Sequence, residues 1–475
     1  MLFFEAQKRL CIHNQANAYA FVKKENLEMA EQSGQGSGQT LSGGRVAGNT
    51  GARESAFTLD TSSIKYGPGV TREVGFDMKK LGAARVMVVT DPRLADGEPV
   101  AVALEALRAE GIDAVLYDQV RVEPTDTSFR HAIDFASEGK FDGYLSVGGG
   151  STIDTAKAAN LYATYPADFL DYVNPPIGKG VPVPGALRPH IAVPTTAGTG
   201  SETTGVAICD LTEMHVKTGI AHRALRPQIG VLDPHNTRTL PQMAAASTGL
   251  DVLSHALESM TALPYDSRVA PESPEMRPAY QGANPISDIW ATKAIEMVAA
   301  NIVRAIQDTE DDEARSAMLL AAAYAGIGFG NAGVHLPHGM SYPVSGMVRS
   351  YRPAGYPPDH PIIPHGMAVI LNAPAVFRFT ASTNPAKHLY AARLMGVDTS
   401  DAAEEDAGEL LAGAVISLMQ KTGVPNGLSA IGFTEEDIPA LVEGTLPQHR
   451  VTKLSPRPAE AHDLEALFRD AMRYW

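Results

Sequence analysis

Asp251 and His255 stand four residues apart in Gly-Leu-Asp-Val-Leu-Ser-His-Ala-Leu-Glu, residues 249–258. Leu250, Leu253 and Leu257 recur at helical spacing in the same stretch, so it reads as a helix with one apolar face. Side chains four apart on a helix lie one above the other. One rigid element could therefore offer a carboxylate oxygen and an imidazole nitrogen to a single metal ion. More histidines follow at His335, His338, His360 and His365, and His338 and His365 each precede a glycine, where the backbone can turn closely around an ion. A carboxylate with neutral imidazoles suits a divalent transition metal and is a poor set for calcium or magnesium. Residue types alone leave open a surface Asp–His pair and loop histidines that only hydrogen-bond.

A second group of residues has the chemistry to hold a nucleotide. From Arg85 the pattern alternates: a strand at 85–90, a helix at 100–110, a strand at 114–117, a helix at 127–138 and a strand at 143–147. That order predicts a parallel sheet with helices on its faces. Asp91 follows the first of these strands, where a carboxylate can accept from adenosine ribose hydroxyls and favour NAD over NADP; a turn beside Pro92 is the alternative. Gly148, Gly149, Gly150 and Ser151 follow the third strand and open a helix at 152–164. Glycines there let backbone N–H groups approach a pyrophosphate at the positive end of the helix. Asp154 and Lys157 on that helix either pair or face the nucleotide. Thr195, Thr196, Thr199 and Ser201, interleaved with Gly198 and Gly200, form a second loop that offers donors without bulk.

Near Asp233-Pro234 the composition changes, and helical segments rich in Ala, Leu and Met follow at 242–261, 286–307, 311–328, 384–395, 402–422 and 459–474. The expected organisation is α/β plus all-α: a Rossmann-like parallel-sheet nucleotide domain over 57–235 and a helical metal-binding and substrate domain over 236–475, with the cleft between them. Residues 1–56 read as an extension that ends in a Gly/Ser/Gln linker at 32–51. A formal net charge of −15 argues against nucleic acid or an anionic membrane as the main partner. Two cysteines make no disulfide framework, so a reducing compartment is expected, cytoplasmic or, in a eukaryote, mitochondrial. The most apolar run, about 316–330, is short of a bilayer span and reads as a buried helix.

Taken in order, Gly-Gly-Gly-Ser, Thr-Thr-Ala-Gly-Thr-Gly-Ser-Glu, Gly-Leu-Asp-x-x-x-His, Asn-Ala-Gly-x5-His-Gly-Met and Pro-His-Gly resemble the iron-containing (group III) alcohol dehydrogenases from about Phe57 onward. The resemblance implies a dehydroquinate synthase-like architecture, a homo-oligomeric enzyme, NAD as cofactor, and Fe(2+) or Zn(2+) held by Asp251, His255, His338 and His365. Val216-Lys217-Thr-Gly resembles the family's cofactor-proximal lysine strand, with Lys217 neutralising cofactor charge. Many members carry His-x-x-x-His-Pro where this chain has His338-Gly-Met-Ser-Tyr342-Pro343. His335 and Tyr342 are candidates for the proton path.

Two stretches, 173–184 and 277–288, look most like the hydroxyacid–oxoacid transhydrogenase branch. That branch implies hydroxy- and oxoacid substrates, 4-hydroxybutyrate with 2-oxoglutarate, and hydride carried between them on bound NAD(H). Arg277 opens the second stretch and is the expected grip on a substrate carboxylate. An ordinary NAD-dependent alcohol dehydrogenase, a polyol dehydrogenase or dehydroquinate synthase-like enzyme, and a nucleotide sensor without turnover are the alternatives. If Asp91 reads the ribose, Asp91→Gly will relax the preference for NAD over NADP in a binding titration; an unchanged preference would leave Asp91 as a turn residue only.

Overall fold

A computed structural model describes residues 52–475 apart from His215; the expected linker at 32–51 lies outside these residues. Six strands form one parallel sheet: β1 (Ser63–Tyr66), β2 (Arg85–Val89), β3 (Asp113–Tyr117), β4 (Gly143–Gly148), β5 (His190–Pro194) and β8 (Ile229–Leu232), in the order β1-β8-β5-β4-β2-β3. Val86 to Val89 and all of β4 are buried, as expected where helices cover both faces of a parallel sheet. Helices α1 (Val74–Lys80), α2 (Glu98–Ala109), α3 (Asp126–Gly139) and α4 (Gly150–Thr164) supply that cover. The chain runs β2 to β3 outward, then returns to lay β4 on the other side of β2. This reversal opens a crevice at the carboxyl ends of β2 and β4, the place where open α/β sheets bind ligands.

Sequence periodicity starts the sheet at Arg85, but β1 and β8 also belong to it. β1 is mostly exposed and has no apolar run to announce it. An antiparallel hairpin, β6 (Val206–Leu211) and β7 (Val216–Ala221), stands apart from the sheet. The last residues of the expected extension are also folded: Glu54 is buried against Arg277, and its backbone N–H donates to Arg268 O.

Beyond Leu232 every regular element is helical. At the centre is α5 (Gln242–Thr261), whose residues from Gly249 to Thr261 are all buried. The apolar face expected there is present, with Leu250, Leu253 and Leu257 fully buried, but the side that carries Asp251, His255 and Glu258 is buried as well. It packs against α6 (Pro285–Gln307), α7 (Asp312–Ala332) and, after α8 (Leu336–Gly346), against α9 (His365–Ile370). Helix α7 runs four residues past the expected 328 and ends at Gly333, whose φ is 96°. Then α8 leaves at 104° to it, and among the described residues no single helix is long and apolar enough to cross a membrane. Six further stretches of helix, from α10 (Ala373–Thr380) through α11 (Pro385–Leu394), α12 (Ala407–Thr422), α13 (Ile438–Thr445) and the one-turn α14 (His449–Thr452) to α15 (Ala461–Asp470), complete the helical part.

Two glycines allow the close contacts that set the site. Gly200 has φ +59°, and a Cβ there would lie 2.7 Å from Gly326 Cα, so the loop after β5 is braced directly on α7. A Cβ on Gly366 would meet Ser247 O at 2.2 Å and Asp251 Cβ at 2.7 Å. The glycine after His365 therefore serves the approach of α9 to α5. Gly366→Ala will force these helices apart and cost about 1–3 kcal/mol in denaturant unfolding; a variant as stable as the parent would show that α9 shifts freely.

Candidate active site

Helix α5 carries Asp251 and His255 one turn apart, α8 presents His338 in its first turn, and α9 begins with His365. Donor atoms of Asp251, His338 and His365 all lie within 4.8 Å of one another. Asp251 Oδ1 is 3.7 Å from His338 Nε2 and 3.8 Å from His255 Nε2. Donors on one tetrahedral ion with bonds of about 2.1 Å sit roughly 3.4 Å apart, so these separations fit an ion. Asp251 Oδ1 and His338 Nε2 are buried with no hydrogen-bond partner, an arrangement that is costly unless a cation lies between them.

The electrostatics agree. Burial, with His338 and His365 alongside, holds His255 well below its usual pKa. Burial likewise brings His338 and His365 down to about 3, with Arg450 beside the first and His338 beside the second adding to it. The imidazoles are neutral, which is the ligating form. Burial, then the carboxylates of Glu258 and Glu123, pushes Asp251 well up. A divalent ion removes that penalty, and the donor set fits one.

Second contacts fix the rings. Glu258 Oε1 is 2.6 Å from His338 Nδ1, and its other oxygen accepts from His335 N at 2.6 Å, so Nε2 of His338 is turned toward Asp251. His255 is held by stacking on Phe329, ring centroids 3.9 Å apart and 9° from parallel. Glu123 accepts from His365 N at 3.1 Å and from Lys217 at 2.5 Å, and its N–H donates to Ser151 Oγ at 3.2 Å. Burial alone would raise Glu123; the charge of Lys217, with the hydrogen bond from His365 N, outweighs it and holds the carboxyl below its usual range.

Two spaces meet here. A cleft of about 1270 Å³, partly open to solvent, runs from Asp91 past Gly149, Gly150, Ser151, Thr195, Thr196 and Thr199 to Asp251 and His365. An inner chamber of about 710 Å³, likewise partly open to solvent, is lined by the four residues Asp251, His255, His338 and His365, with Asp154, Ser201, Lys217, Tyr280, Tyr342 and Arg450. Glu123, Gly150, Ser151, Thr199, Asp251 and His365 border both.

Several expected residues have other partners. Arg277 does not line the chamber: its guanidinium grips Glu54 through Nε at 2.9 Å and Nη2 at 3.2 Å, so its charge is already matched. His335 is buried with Nε2 3.0 Å from Thr261 Oγ1 and lines neither space. Gly148 ends β4 behind the cleft, where a Cβ would strike Thr152 Oγ1 at 2.3 Å. Asp154 accepts from Ser201 Oγ at 2.5 Å and Ile208 N at 3.0 Å, with Lys157 at 3.6 Å, so the expected Asp–Lys pair forms. Lys217 is matched by Glu123 and, at 3.4 Å, Asp210. Asp91 both lines the cleft and accepts from Arg93 N at 2.9 Å, so the turn and the ligand-facing position coexist. Sequence reasoning missed Glu123, Glu258, Tyr280, Phe329 and Arg450. Glu258 had a signal, three residues past His255 on the same helix; Arg450 had none.

The family model described as iron-containing alcohol dehydrogenase matches residues 61–234, and the one for the C-terminal part of that family matches 279–472. The chain belongs to the iron-containing alcohol dehydrogenase family. It is an oxidoreductase, and its parallel sheet and helical C-terminal half are the family's fold. The hydroxyacid–oxoacid transhydrogenase, mitochondrial, of Bos taurus is 56% identical over 422 residues, 88% of this chain and 91% of that protein. The Homo sapiens protein of the same name is 55% identical over 88% of this chain and 90% of its own length. Among solved structures, a 1,3-propanediol oxidoreductase superposes with a TM-score of 0.77 at 29% identity, covering 88% of this chain and 100% of that one.

Glu258→Gln keeps the size but removes the charge that orients His338. Metal affinity in a chelator competition will fall about 10- to 100-fold, and an unchanged affinity would deny Glu258 that role.

Proposed function

We propose that this chain is a hydroxyacid–oxoacid transhydrogenase that passes hydride from 4-hydroxybutyrate to 2-oxoglutarate through NAD(H), yielding succinic semialdehyde and 2-hydroxyglutarate. The observation that carries the reading is identity above 50%, over most of both chains, to relatives of that name. The meeting of cleft and chamber at Asp251 and His365 supports it, since hydride transfer needs nicotinamide and substrate within contact. Several of those relatives are named mitochondrial, and a reducing compartment of that kind suits the one described cysteine, Cys209, buried as a free thiol.

In this reading Asp251, His255, His338 and His365 hold Fe(2+) or Zn(2+). When bound, the ion supplies Lewis acidity at the substrate oxygen. The chain's own residues do the rest. Gly149, Gly150 and the start of α4 receive the pyrophosphate, and Thr195, Thr196 and Thr199 offer hydroxyls along the cleft. The apolar chamber walls Val206, Ile208, Phe329 and Val334 keep water from the hydride path. Tyr342 accepts a hydrogen bond from Arg450 Nη2 at 2.6 Å, which leaves its phenol O–H to serve as donor toward the substrate. NAD held by these residues would supply a hydride acceptor for the hydroxyacid and a hydride donor for the oxoacid, and Tyr342 would take up the hydroxyl proton and return one to the oxoacid oxygen, so that the two acids balance without net oxidation.

One incubation tests this reading. Purified protein given 4-hydroxybutyrate and 2-oxoglutarate, with no added NAD, will form succinic semialdehyde and 2-hydroxyglutarate in equal amounts. Turnover that appears only with added NAD and stops on dialysis would make the enzyme an alcohol dehydrogenase with freely exchanging cofactor.

A further inference from the structure

Arg450 is a buried guanidinium without a counter-charge. It comes from the one-turn helix His449–Thr452 and lines the inner chamber. Nη2 donates to Tyr342 Oη at 2.6 Å, and the guanidinium carbon lies 5.1 Å from the centre of the Tyr280 ring. Both partners are neutral. Among the described residues no carboxylate pairs with Arg450, and its Nη1 is buried with no hydrogen-bond partner. The neighbouring buried cations differ: Lys157, behind the chamber wall, donates to Ser201 and to Val206 O beside Asp154, and Lys217 pairs with Glu123 and Asp210. A guanidinium cannot discharge by losing its proton, so an unpaired buried one is costly until an anion reaches it.

The substrates proposed above supply such an anion in both half-reactions. In 4-hydroxybutyrate the carbon that gives hydride is followed by two methylenes and a carboxylate. In 2-oxoglutarate the carbon that takes hydride is followed by the same two methylenes and a carboxylate. Apart from the oxidation state of that carbon, the two acids differ only on its far side, hydrogen in one and a second carboxylate in the other. One cation at one distance from the hydride site therefore serves both, while the apolar side chains of Val206, Phe329 and Val334 suit the methylenes. We propose that Arg450 is the specificity-determining residue that grips the distal carboxylate of both acids in turn, with Tyr342 and Tyr280 fixing the plane of its guanidinium. This inference rests on the transhydrogenase reading for its substrates and on Arg450's own surroundings for its site.

Succinate tests the two separately, because it carries the same two methylenes and carboxylate but cannot transfer hydride. On full-length protein loaded with metal and NAD, succinate will raise the melting temperature of the parent, and uncharged succinamide will not. Arg450→Met will abolish the succinate shift with metal and NAD content unchanged. Arg450→Lys, which keeps the charge and loses the planar fork, will reduce the shift and raise KM for 4-hydroxybutyrate and 2-oxoglutarate together, by about 10- to 100-fold. If the methionine variant fails to fold, the lysine variant decides. An undiminished succinate shift in the variants, or a KM rise for one acid only, overturns the proposal. A parent that binds succinate through Arg450 yet moves no hydride between the two acids would retain the anion site and reject the transhydrogenase reading.

Discussion

Asp251 Oδ1 is buried with no hydrogen donor against it, and three elements close around that oxygen. A cation between Asp251, His338 and His365 would complete the packing near it. Helix α5 is covered on every side to bring the carboxylate to the centre, α9 comes close enough that its second residue must be glycine, and α8 leaves α7 at a steep angle so that His338 turns inward. Glu258, one turn beyond His255 on the same helix, then fixes which nitrogen of His338 faces the oxygen.

Glu123 ties this cluster to the cleft lined by Gly149, Ser151 and Thr195. Its backbone is left-handed, φ 54°, an uncommon conformation for a residue with a side chain. That geometry lets one residue join the N-terminus of α9, the lysine of β7 and the serine that opens α4. The cleft and the chamber are thus built from distant parts of the chain but share one charged hinge point, and the hairpin that stands outside the main sheet has its place through Lys217.

What could be read in the sequence follows from how local each signal is. The strands β2, β3 and β4 and the helices between them are runs of one period, and the helix around Asp251 is bounded correctly from its pattern. β1 was illegible because it is exposed, and α8 and α9 because Pro, Gly and His interrupt any apolar period. At the site, residues carried in a local motif were legible, His338 and His365 among them through the family resemblance; Glu123, Phe329 and Arg450, which stand in no such motif, were not. Arg277 shows the difference. Its segment does reach the chamber, but with Tyr280, while Arg277 turns to Glu54. Nothing in the spacing reveals which of two neighbouring residues faces inward in a loop without periodicity.

The distance along the chain between Asp251 and His365 has a consequence for biogenesis. During synthesis α5 emerges with a carboxylate and one imidazole, a pair too weak to retain an ion by itself. The remaining donors arrive only when α8 and α9 have been made and docked, contacts that close large loops and form late in folding. Capture of an ion there would therefore coincide with the final packing of the helical half. An ion bound there would neutralise the buried carboxylate of Asp251 and by mass action favour the folded chain.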